Sequence, residues 1–363
     1  EGSTPFARSI NMIIWIASYP KSGNTYLRSF LASYYYSNNG KFDFDQLLKI
    51  HQFPNIKFSK IKPTSKEEAS RYWIFNQNNF FDKNRLNFVK THNCLFPFKG
   101  NEFTSRNETL GAIYIVRDPR NVITSITHHY SINYEKALDY MLDDDCSLLE
   151  KSFDQDYSNF TYLNSWSNHY RSWKNNKNFQ ILFIKYEDIK KNKEDNFKKI
   201  ILFVEKITKK NSKLNEKKFL NSIKSTNFSN LKNKELNEGF EESVYSGKIG
   251  KKINFFNLGF SNRWQKLLPV DIKNKVNEKF KKNLEELNYL NDWRSYKKKC
   301  VPCEGEAIPF DISEIHKYQK KVDGWDILKN EKKIFHLYKK YEFKNFLESQ
   351  IFINKVGEIS ENE

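Results

Sequence analysis

The sequence has few of the residues that brace small folds covalently or through metals. Its 363 residues include four cysteines, twelve glycines, nine prolines and two methionines. Only Cys300 and Cys303 are close together, and one CxxC pair without a second pair or nearby histidines is a weak zinc signal. This scarcity excludes a disulfide framework, and we expect a reducing, cytoplasmic location.

Long apolar runs are also missing. No stretch approaches the roughly 18 apolar residues of a membrane span, so we expect a soluble protein without one. Residues 1–11 lack the basic and then apolar build of a secretory signal. Met12 directly precedes the first apolar run, and residues 1–11 are therefore expected to be upstream read-through or a cloning remnant.

Aromatic residues and lysine are abundant instead. Aromatics make up 16% of the chain and apolar residues 38%, enough for a sizeable core. The net charge of +17 would suit a nucleic-acid-binding protein. However, the lysines are scattered and stand beside acidic residues, which favours solvated surfaces. We therefore expect no nucleic-acid partner, although the positive potential of the chain would attract a polyanionic ligand.

Short apolar runs alternate with helical patterns. Helices are expected over 161–173, 191–206 and about 270–290, and strands over 13–17, 111–116 and 179–184. This alternation predicts an α/β fold with a P-loop-like central parallel sheet flanked by helices. Residues 226–262 contain glycine and asparagine with little periodicity, which predicts a long loop.

The first strand leads into a turn that suits a phosphate group. The turn reads Tyr19-Pro20-Lys21-Ser22-Gly23-Asn24-Thr25-Tyr26 and opens a helical pattern. Backbone N–H groups at a helix N-terminus attract anions, and Gly23 lets the backbone approach closely. Lys21 adds a charge, and Ser22 and Thr25 add hydroxyls. The lysine precedes the glycine, so this is not a Walker A box; an ordinary turn with a surface lysine is the alternative.

Two later segments carry further candidate site residues. Arg117 follows a predicted strand, and Ser125 stands eight residues later. Both could grip one phosphate, although Arg117 could equally pair with Asp118. Between the two anion motifs lies Lys90-Thr91-His92. A lone histidine is usually structural, and His128-His129 offers an alternative base.

Together these motifs resemble the cytosolic-type PAPS-dependent sulfotransferases over about residues 12–290. The turn looks like the family's YPKSGTTW loop, which binds the 5′-phosphosulfate of PAPS, with Asn24 and Tyr26 replacing Thr and Trp. The family's Trp stacks on the adenine, a role left to Tyr26. The resemblance implies that Arg117 and Ser125 bind the 3′-phosphate. It also implies that His92 is the catalytic base, helped by Lys21 and Lys90, and that no metal is required.

Weaker matches extend the resemblance. Tyr186 would line the nucleotide site, and Thr226 and Phe228 would hold the adenine. Gly259 stands in a loop that reads Arg-Lys-Gly in the family. Here Asn257 and Leu258 precede the glycine, which leaves the strength of 3′-phosphate binding open. The candidate substitutes are Lys248, Lys251 and Arg263.

The implied function is transfer of a sulfuryl group from PAPS to a hydroxyl or amine, with PAP as product. The acceptor is expected to be a small molecule or glycan, and neither its identity nor the oligomeric state follows from the sequence. Two alternatives stay open: a P-loop kinase-like ATP-dependent phosphotransferase, and a basic nucleic-acid-binding protein.

The C-terminal residues resemble another family. Cys300 to Gly305, Val322 to Trp325, Tyr341 to Phe346 and Phe352 to Gly357 are similar to pterin-4a-carbinolamine dehydratases. We therefore expect two domains, 12–296 and 300–363, the second an incomplete α+β segment. The family's catalytic His-His-Pro motif would follow Glu363, so this segment is expected to be inactive; a helical tail is the alternative.

Overall fold

The computed structural model describes two compact units. They are Glu1–Trp293 and Arg294–Glu363. The described residues are 12–149, 155–209, 213–246, 251–290, 312–319, 324–329 and 335–360. The Cys300/Cys303 pair, residues 297–299 between the two expected domains, and Lys248 lie outside these ranges. The domain bounds 12–296 and 300–363 stay a prediction.

A five-stranded sheet forms the centre of the first unit. Its order is β2-β3-β1-β4-β7, and all neighbouring strands are parallel. Numbered along the chain, the strands are β1 (Ile13–Ser18), β2 (His51–Gln52), β3 (Asn87–Thr91), β4 (Thr109–Val116) and β7 (Gln180–Lys185). The predicted α/β fold with a central parallel sheet is confirmed.

The alternation of side chains along β1 shows why both faces of the sheet are covered. Ile13, Trp15 and Ala17 pack into the core on one face, whereas Ile14 and Ile16 pack into the core on the other. All five are fully buried. Successive strand residues point to opposite faces, so an apolar run without alternation requires cover on both sides.

Helices provide this cover, and two small antiparallel strand pairs accompany them. The helices up to β5 are α1 (Asn24–Tyr36), α2 (Lys66–Arg71), α3 (Trp73–Phe80), α4 (Pro119–Tyr130) and α5 (Tyr134–Leu142). The later ones are α6 (Trp166–Lys174), α7 (Tyr186–Lys191), α8 (Lys193–Thr208), α9 (Glu216–Ser225), α10 (Phe228–Glu238), α11 (Trp264–Leu267), α12 (Val270–Lys279) and α13 (Lys281–Glu286). The strand pairs are β5 (Ser147–Leu148) with β6 (Thr161–Tyr162), and β8 (Val244–Ser246) with β9 (Lys251–Ile253).

Three sequence predictions of local structure were wrong. Residues 226–262 are not one loop, because the Asn227 side chain caps α10 and the segment continues into the β8–β9 hairpin. The helix expected from residue 161 begins at Trp166, where Ser165 caps it. The helix expected over 270–290 is divided at Phe280. Asn227 and Ser165 caps set the first two of these boundaries, and apolar periodicity does not reveal them.

Within its described residues, the second unit contains a small antiparallel sheet and two helices. Its elements are α14 (Ile312–Gln319), β10 (Asp326–Lys329), β11 (Phe335–Tyr338) and α15 (Phe346–Ser360). The strands contradict the alternative of a helical tail. Tyr341 and Phe352 pack with ring centroids 4.5 Å apart, which joins the segment before α15 to that helix.

Candidate active site

Three strand ends meet at one edge of the sheet. The strands β3, β1 and β4 are neighbours, and each ends at the same edge because they run parallel. The residues that follow them include Lys21, His92 and Arg117, and all three line one cavity of about 1430 Å³. Ligands of open α/β sheets bind outside the carboxyl ends of the strands. The fold thus brings together the three segments that the sequence analysis singled out.

The turn after β1 presents free backbone donors to this cavity. Lys21 (φ 64°) and Gly23 (φ 98°) both adopt left-handed conformations, which turn the chain sharply into α1. No side chain caps the N-terminus of α1. The N–H groups of a first helical turn lack intrahelical partners, and the helix dipole adds positive potential there. The start of α1 is therefore suited to an anion.

Asn24 and Thr25 hold and extend this turn. The Asn24 amide donates to the Ile16 carbonyl at 2.9 Å and to Ser18 Oγ at 3.2 Å, which ties the start of α1 back to β1. Thr25 Oγ1 donates to Glu242 at 2.9 Å. Both residues line the cavity. The two hydrogen bonds of Asn24 make it an anchor for the start of α1, at the position where the family's loop has threonine.

Lys21 and Lys90 supply positive charge to the cavity. The Lys21 ammonium lies 3.8 Å from the centroid of the Phe255 ring. Burial lowers the pKa of Lys21 to about 7, with Glu242 opposing the effect and Lys90 and Arg117 adding to it. Lys90 is buried and contacts Glu242 at 3.0 Å. A bound anion would favour the charged form of Lys21, since opposite charge raises a lysine pKa.

The environment of His92 selects one tautomer of its imidazole. His92 Nδ1 lies 2.6 Å from the Ser18 carbonyl oxygen, which can only accept, so Nδ1 carries the proton. Nε2 is consequently the unprotonated nitrogen. Burial, with the Lys90 charge second, lowers the pKa of His92 to about 3. The imidazole is therefore neutral near pH 7, as a proton acceptor must be.

His169 positions His92 from the opposite side, a contact that the sequence analysis missed. Its Nε2 lies 2.9 Å from the His92 carbonyl oxygen and must donate to it, while Tyr114 Oη donates to Nδ1 at 2.8 Å. His169 is fully buried, and burial lowers its pKa to about 4. On the same helix, α6, Trp166 and Trp173 are buried in the core.

A second cationic site lies around Arg117. Its Nη1 donates to the Lys21 carbonyl at 3.0 Å and to Ser125 Oγ at 3.3 Å, and its guanidinium stacks 4.5 Å from the Tyr186 ring centroid. Asp118 pairs with Arg120 at 2.7 Å, so the alternative of an Arg117–Asp118 ion pair is not realised. Arg117 therefore faces the cavity beside Ser125.

Aromatic rings and a glycine form the apolar wall next to Arg117. Tyr26, Tyr186, Phe228 and Gly259 all line the cavity. Gly259 (φ 51°) packs against the Phe228 ring so closely that a Cβ would overlap it. Tyr26 is buried and meets the Tyr186 ring edge-on at 6.5 Å. This wall is aromatic and uncharged.

Two of the predicted binding residues do not line the cavity. Ser22 is fully buried, and its hydroxyl finds no hydrogen-bond partner among the described residues. Thr226 is also fully buried, and its hydroxyl donates to the Ser222 carbonyl at 2.6 Å. Their contact with a ligand stays a prediction, and the Thr226 hydroxyl is tied to the end of α9.

Asn257 and Leu258 place no charge at the two positions where the family has its Arg-Lys pair. Both residues line the cavity, and Lys232 reaches the Asn257 carbonyl at 3.3 Å. Arg263 does not line the cavity; its charge, after burial, lowers the pKa of Lys190. The side chain of Lys251 lies outside the described parts of the chain, as does Lys248.

The structure also adds residues that the sequence analysis did not predict. Arg28 lines the cavity one turn after Thr25 and contacts Glu242 at 2.6 Å. Thr25 and Arg28 are three residues apart, a spacing that places both on one face of a helix. This spacing could have predicted that Arg28 lies near the Thr25 site. His129, which the sequence analysis named with His128 as an alternative base, also lines the cavity, and burial followed by the Lys21 charge lowers its pKa to about 3. For Glu242, in a segment predicted as loop, the sequence offered no signal.

Residues 12–288 match the family described as "Sulfotransferase domain". The chain belongs to this sulfotransferase family. This sulfotransferase is 23% identical to the luciferin sulfotransferase of Photinus pyralis over 288 residues, which cover 77% of this chain and 73% of that protein. Among solved structures it is similar to a mouse sulfotransferase in complex with PAP. The identity is 19% and the TM-score 0.49, with 80% of this chain and 91% of that chain covered.

The C-terminal stretch of the sulfotransferase matches a different group of proteins. It is 43% identical over 67 residues to a putative pterin-4-alpha-carbinolamine dehydratase of Rickettsia canadensis, which covers 18% of this chain. A second match is the corresponding protein of Rubrobacter xylanophilus, at 33% over 66 residues. The chain spans 58% of the length of each of these dehydratases.

Within the described ranges, no helix has both the length and the apolar character needed to cross a bilayer. Among the same residues, no three His, Cys, Asp or Glu side chains are grouped in a way that could hold a metal ion.

Proposed function

We propose that this sulfotransferase transfers a sulfuryl group from PAPS to a hydroxyl or amine acceptor, with His92 as general base and without a metal. The observation that carries the proposal is the pairing of two anion sites in one cavity. The uncapped start of α1 with Lys21 and Thr25 suits a 5′-phosphosulfate, and Arg117 with Ser125 suits a 3′-phosphate. A nucleotide phosphorylated at both positions uses both sites.

The residues of the cavity fit PAPS in charge and shape. Backbone donors and cations at the start of α1 match the charge of the phosphosulfate. The planar guanidinium of Arg117 and the nearby Ser125 hydroxyl can both donate hydrogen bonds to a phosphate monoester. The wall formed by Tyr26, Tyr186 and Phe228 offers a surface for adenine. Asn257 and Leu258 reduce the charge around the 3′-phosphate, which makes Arg117 the principal cation of that site.

The chain's own residues supply the acid–base chemistry. When bound, PAPS provides an activated sulfuryl group on its 5′-phosphate. The acceptor oxygen or nitrogen forms the new bond to sulfur as the bond from sulfur to the phosphate oxygen breaks, leaving PAP. Nε2 of His92 accepts the acceptor proton, because Nδ1 is held by the Ser18 carbonyl. Lys90 and Lys21 stabilise the charge on the sulfuryl oxygens and on the leaving phosphate.

The acceptor occupies the part of the cavity beyond His92. Its wall combines apolar and polar side chains: Phe58, Tyr130, Leu148, Leu149, Asn159 and Phe240. The volume exceeds the usual range of about 300–1,000 Å³ for one ligand, as expected of a site for two substrates. We propose a small-molecule or glycan acceptor and a cytoplasmic location.

Nucleotide selectivity tests this function. PAP, 5′-AMP, ADP and ATP are compared by thermal shift, with and without Mg²⁺, where a ligand at a hundred times its Kd stabilises by about 2.7 kcal/mol. We expect selective stabilisation by PAP without Mg²⁺. Arg117→Ala should weaken PAP roughly tenfold to hundredfold, the value of a charge-assisted hydrogen bond, and leave 5′-AMP almost unchanged.

The controls separate this function from the alternatives. Arg106→Ala removes an exposed arginine outside the cavity and should leave PAP affinity unchanged. Stabilisation by ATP only with Mg²⁺ would favour the kinase-like alternative. Equal losses of PAP and 5′-AMP in Arg117→Ala would show that Arg117 does not bind the 3′-phosphate. A chain that no nucleotide stabilises would contradict the proposal altogether.

A further inference from the structure

Glu242 is hydrogen-bonded to Thr25, Arg28 and Lys90, a group of donors that we call the cationic cradle. Its Oε1 accepts from Arg28 at 2.6 Å and from Lys90 at 3.0 Å, and its Oε2 accepts from Thr25 Oγ1 at 2.9 Å. These three donors come from α1 and β3, more than 150 residues earlier in the chain. One carboxylate thus engages a hydroxyl and two cations at once.

The charge on Glu242 is stabilised by this cradle. The Lys90 and Arg28 charges, acting against burial, hold its pKa well below the usual value. The carboxylate is therefore ionised across the neutral range. An ionised carboxylate with three donors is a close chemical analogue of a bound phosphate or sulfate oxygen. The cradle is consequently an anion site that already contains an anion from the chain itself.

A clamp on α10 presents Glu242 to the cradle. Glu235, buried on α10, accepts from Ser243 Oγ at 2.5 Å and from the backbone N–H groups of Phe255 at 2.6 Å and Phe256 at 2.8 Å. Glu235 thereby links Ser243, the residue after Glu242, to Phe255 and Phe256 later in the chain. The same segment places Phe255 against the Lys21 ammonium. Glu242 and Phe255 therefore cover the cations of the cradle from one side.

Glu242 and an anionic ligand compete for the same donors. A phosphosulfate placed at the start of α1 would take up Thr25 and Lys90, both of which Glu242 engages. The side chain of Glu242 is 25% exposed, so a route for its departure towards solvent exists. Like charges in one partly buried site oppose each other strongly, and the two anions exclude one another.

We propose that Glu242 is an internal anion that fills the phosphosulfate cradle of the free chain and must leave before the donor binds. The inference deepens the proposed function and rests on it for the identity of the donor. Glu242 keeps Arg28 and Lys90 in place and compensates their charge while no ligand is bound. Its release lowers the apparent affinity for every anion that uses the cradle, because part of the binding free energy is spent on displacement.

The test measures anion affinity in the full chain by calorimetry with two probes, inorganic pyrophosphate and PAP. Glu242→Gln keeps the shape and removes the charge, and Glu242→Ala removes the side chain. Both variants should bind each probe about tenfold more tightly or better, the scale expected for removing a competing charge. Glu278→Gln is the matched control, because it removes the same charge from an exposed residue outside the cavity, and it should leave both affinities unchanged.

Pyrophosphate separates the failure of this inference from that of the proposed function. A gain for pyrophosphate in both Glu242 variants, with no preference of any chain for PAP over ADP, would retain the inference and reject PAPS as donor. Tight PAP binding that neither Glu242 variant changes would overturn the inference and retain the donor. Weaker binding of both probes would also overturn it, because Glu242 would then organise the cradle for the ligand instead of competing with it.

Discussion

At the scale of single residues, burial and one hydrogen bond determine what His92 can do. The Ser18 carbonyl holds the proton on Nδ1, and burial lowers the pKa of the ring to about 3. The side chain is therefore a neutral proton acceptor whose free nitrogen is Nε2. With the ordinary histidine pKa of about 6.5, about half of such side chains would be protonated at pH 6.5.

The first residue-scale prediction concerns turnover. Because a positioned base contributes about 10²–10⁴-fold, His92→Ala and the shape-conserving His92→Gln should lower kcat by at least a hundredfold while PAP affinity stays within about twofold. The pKa of His92 is lowered, so the base form is lost only as pH falls through about 3. Wild-type kcat/KM should consequently show no histidine limb near pH 6.5. Steady-state kinetics between pH 5 and 8 check both points.

His129 is the comparison for this prediction, because it lines the same cavity and also has a pKa lowered to about 3. We expect His129→Ala to affect KM for the acceptor more than kcat. Loss of turnover in His129→Ala, with full turnover in His92→Ala, would reverse the assignment of the base.

At the scale of elements, the start of α1 differs from most other helices of the first unit. Asp118, Asn133, Ser165, Asn192, Asn215 and Asn227 each cap a helix through a side chain. The N-cap of α1 is Gly23, which has no side chain and adopts a left-handed conformation. A side-chain cap satisfies one first-turn N–H group in each of those six helices, whereas Gly23 offers none to α1, and the start of α1 is suited to an external anion.

The element-scale prediction uses Gly23. A Cβ at this position would overlap the Tyr186 ring, and φ of 98° strains any L side chain. Gly23→Ala should therefore destabilise the fold by about 1–3 kcal/mol and abolish PAP binding. Gly100→Ala is the matched control, because Gly100 has φ of 84° but nothing within 4 Å of its Cβ position. It should show the backbone strain alone and retain PAP binding.

Chemical denaturation and PAP titration of both glycine variants measure these effects. Equal PAP affinity in Gly23→Ala and Gly100→Ala would show that close approach of the backbone at Gly23 is not needed. The turn would then bind anions through side chains only.

At the scale of the whole molecule, the chain combines two units that are similar to different proteins. The cavity is lined by residues between Pro20 and Asn262, all within the first unit. The second unit exposes many apolar side chains, among them Phe346, Leu347 and Ile353. Its similarity to dehydratases covers only part of their length. Donor binding should consequently depend on the first unit alone.

Truncation tests this independence. A chain that ends at Tyr296, the expected domain boundary, should bind PAP within about twofold of the full chain, because no cavity residue is removed. It should also be more soluble, since the exposed apolar side chains of the second unit are removed. PAP titration and concentration-dependent light scattering measure the two effects. Loss of PAP binding on truncation would contradict the proposed domain bounds.

The sequence by itself determined the class of the fold and the location of the principal motifs. The apolar run of β1, the glycine turn and the start of α1 are local features, because each depends on backbone preferences of adjacent residues. The order of the turn, Lys90-Thr91-His92 and Arg117 along the chain also carried the family resemblance. None of these features requires knowledge of distant contacts.

Only the tertiary structure decided which partners these residues have. The pairing of Asp118 with Arg120, the tautomer of His92 and the burial of Thr226 follow from packing. The contact of Arg28 with Glu242 joins residues 214 positions apart. Contacts of this kind depend on how the whole chain folds back on itself, so no local pattern of residues around Glu242 could have predicted its place in the cradle.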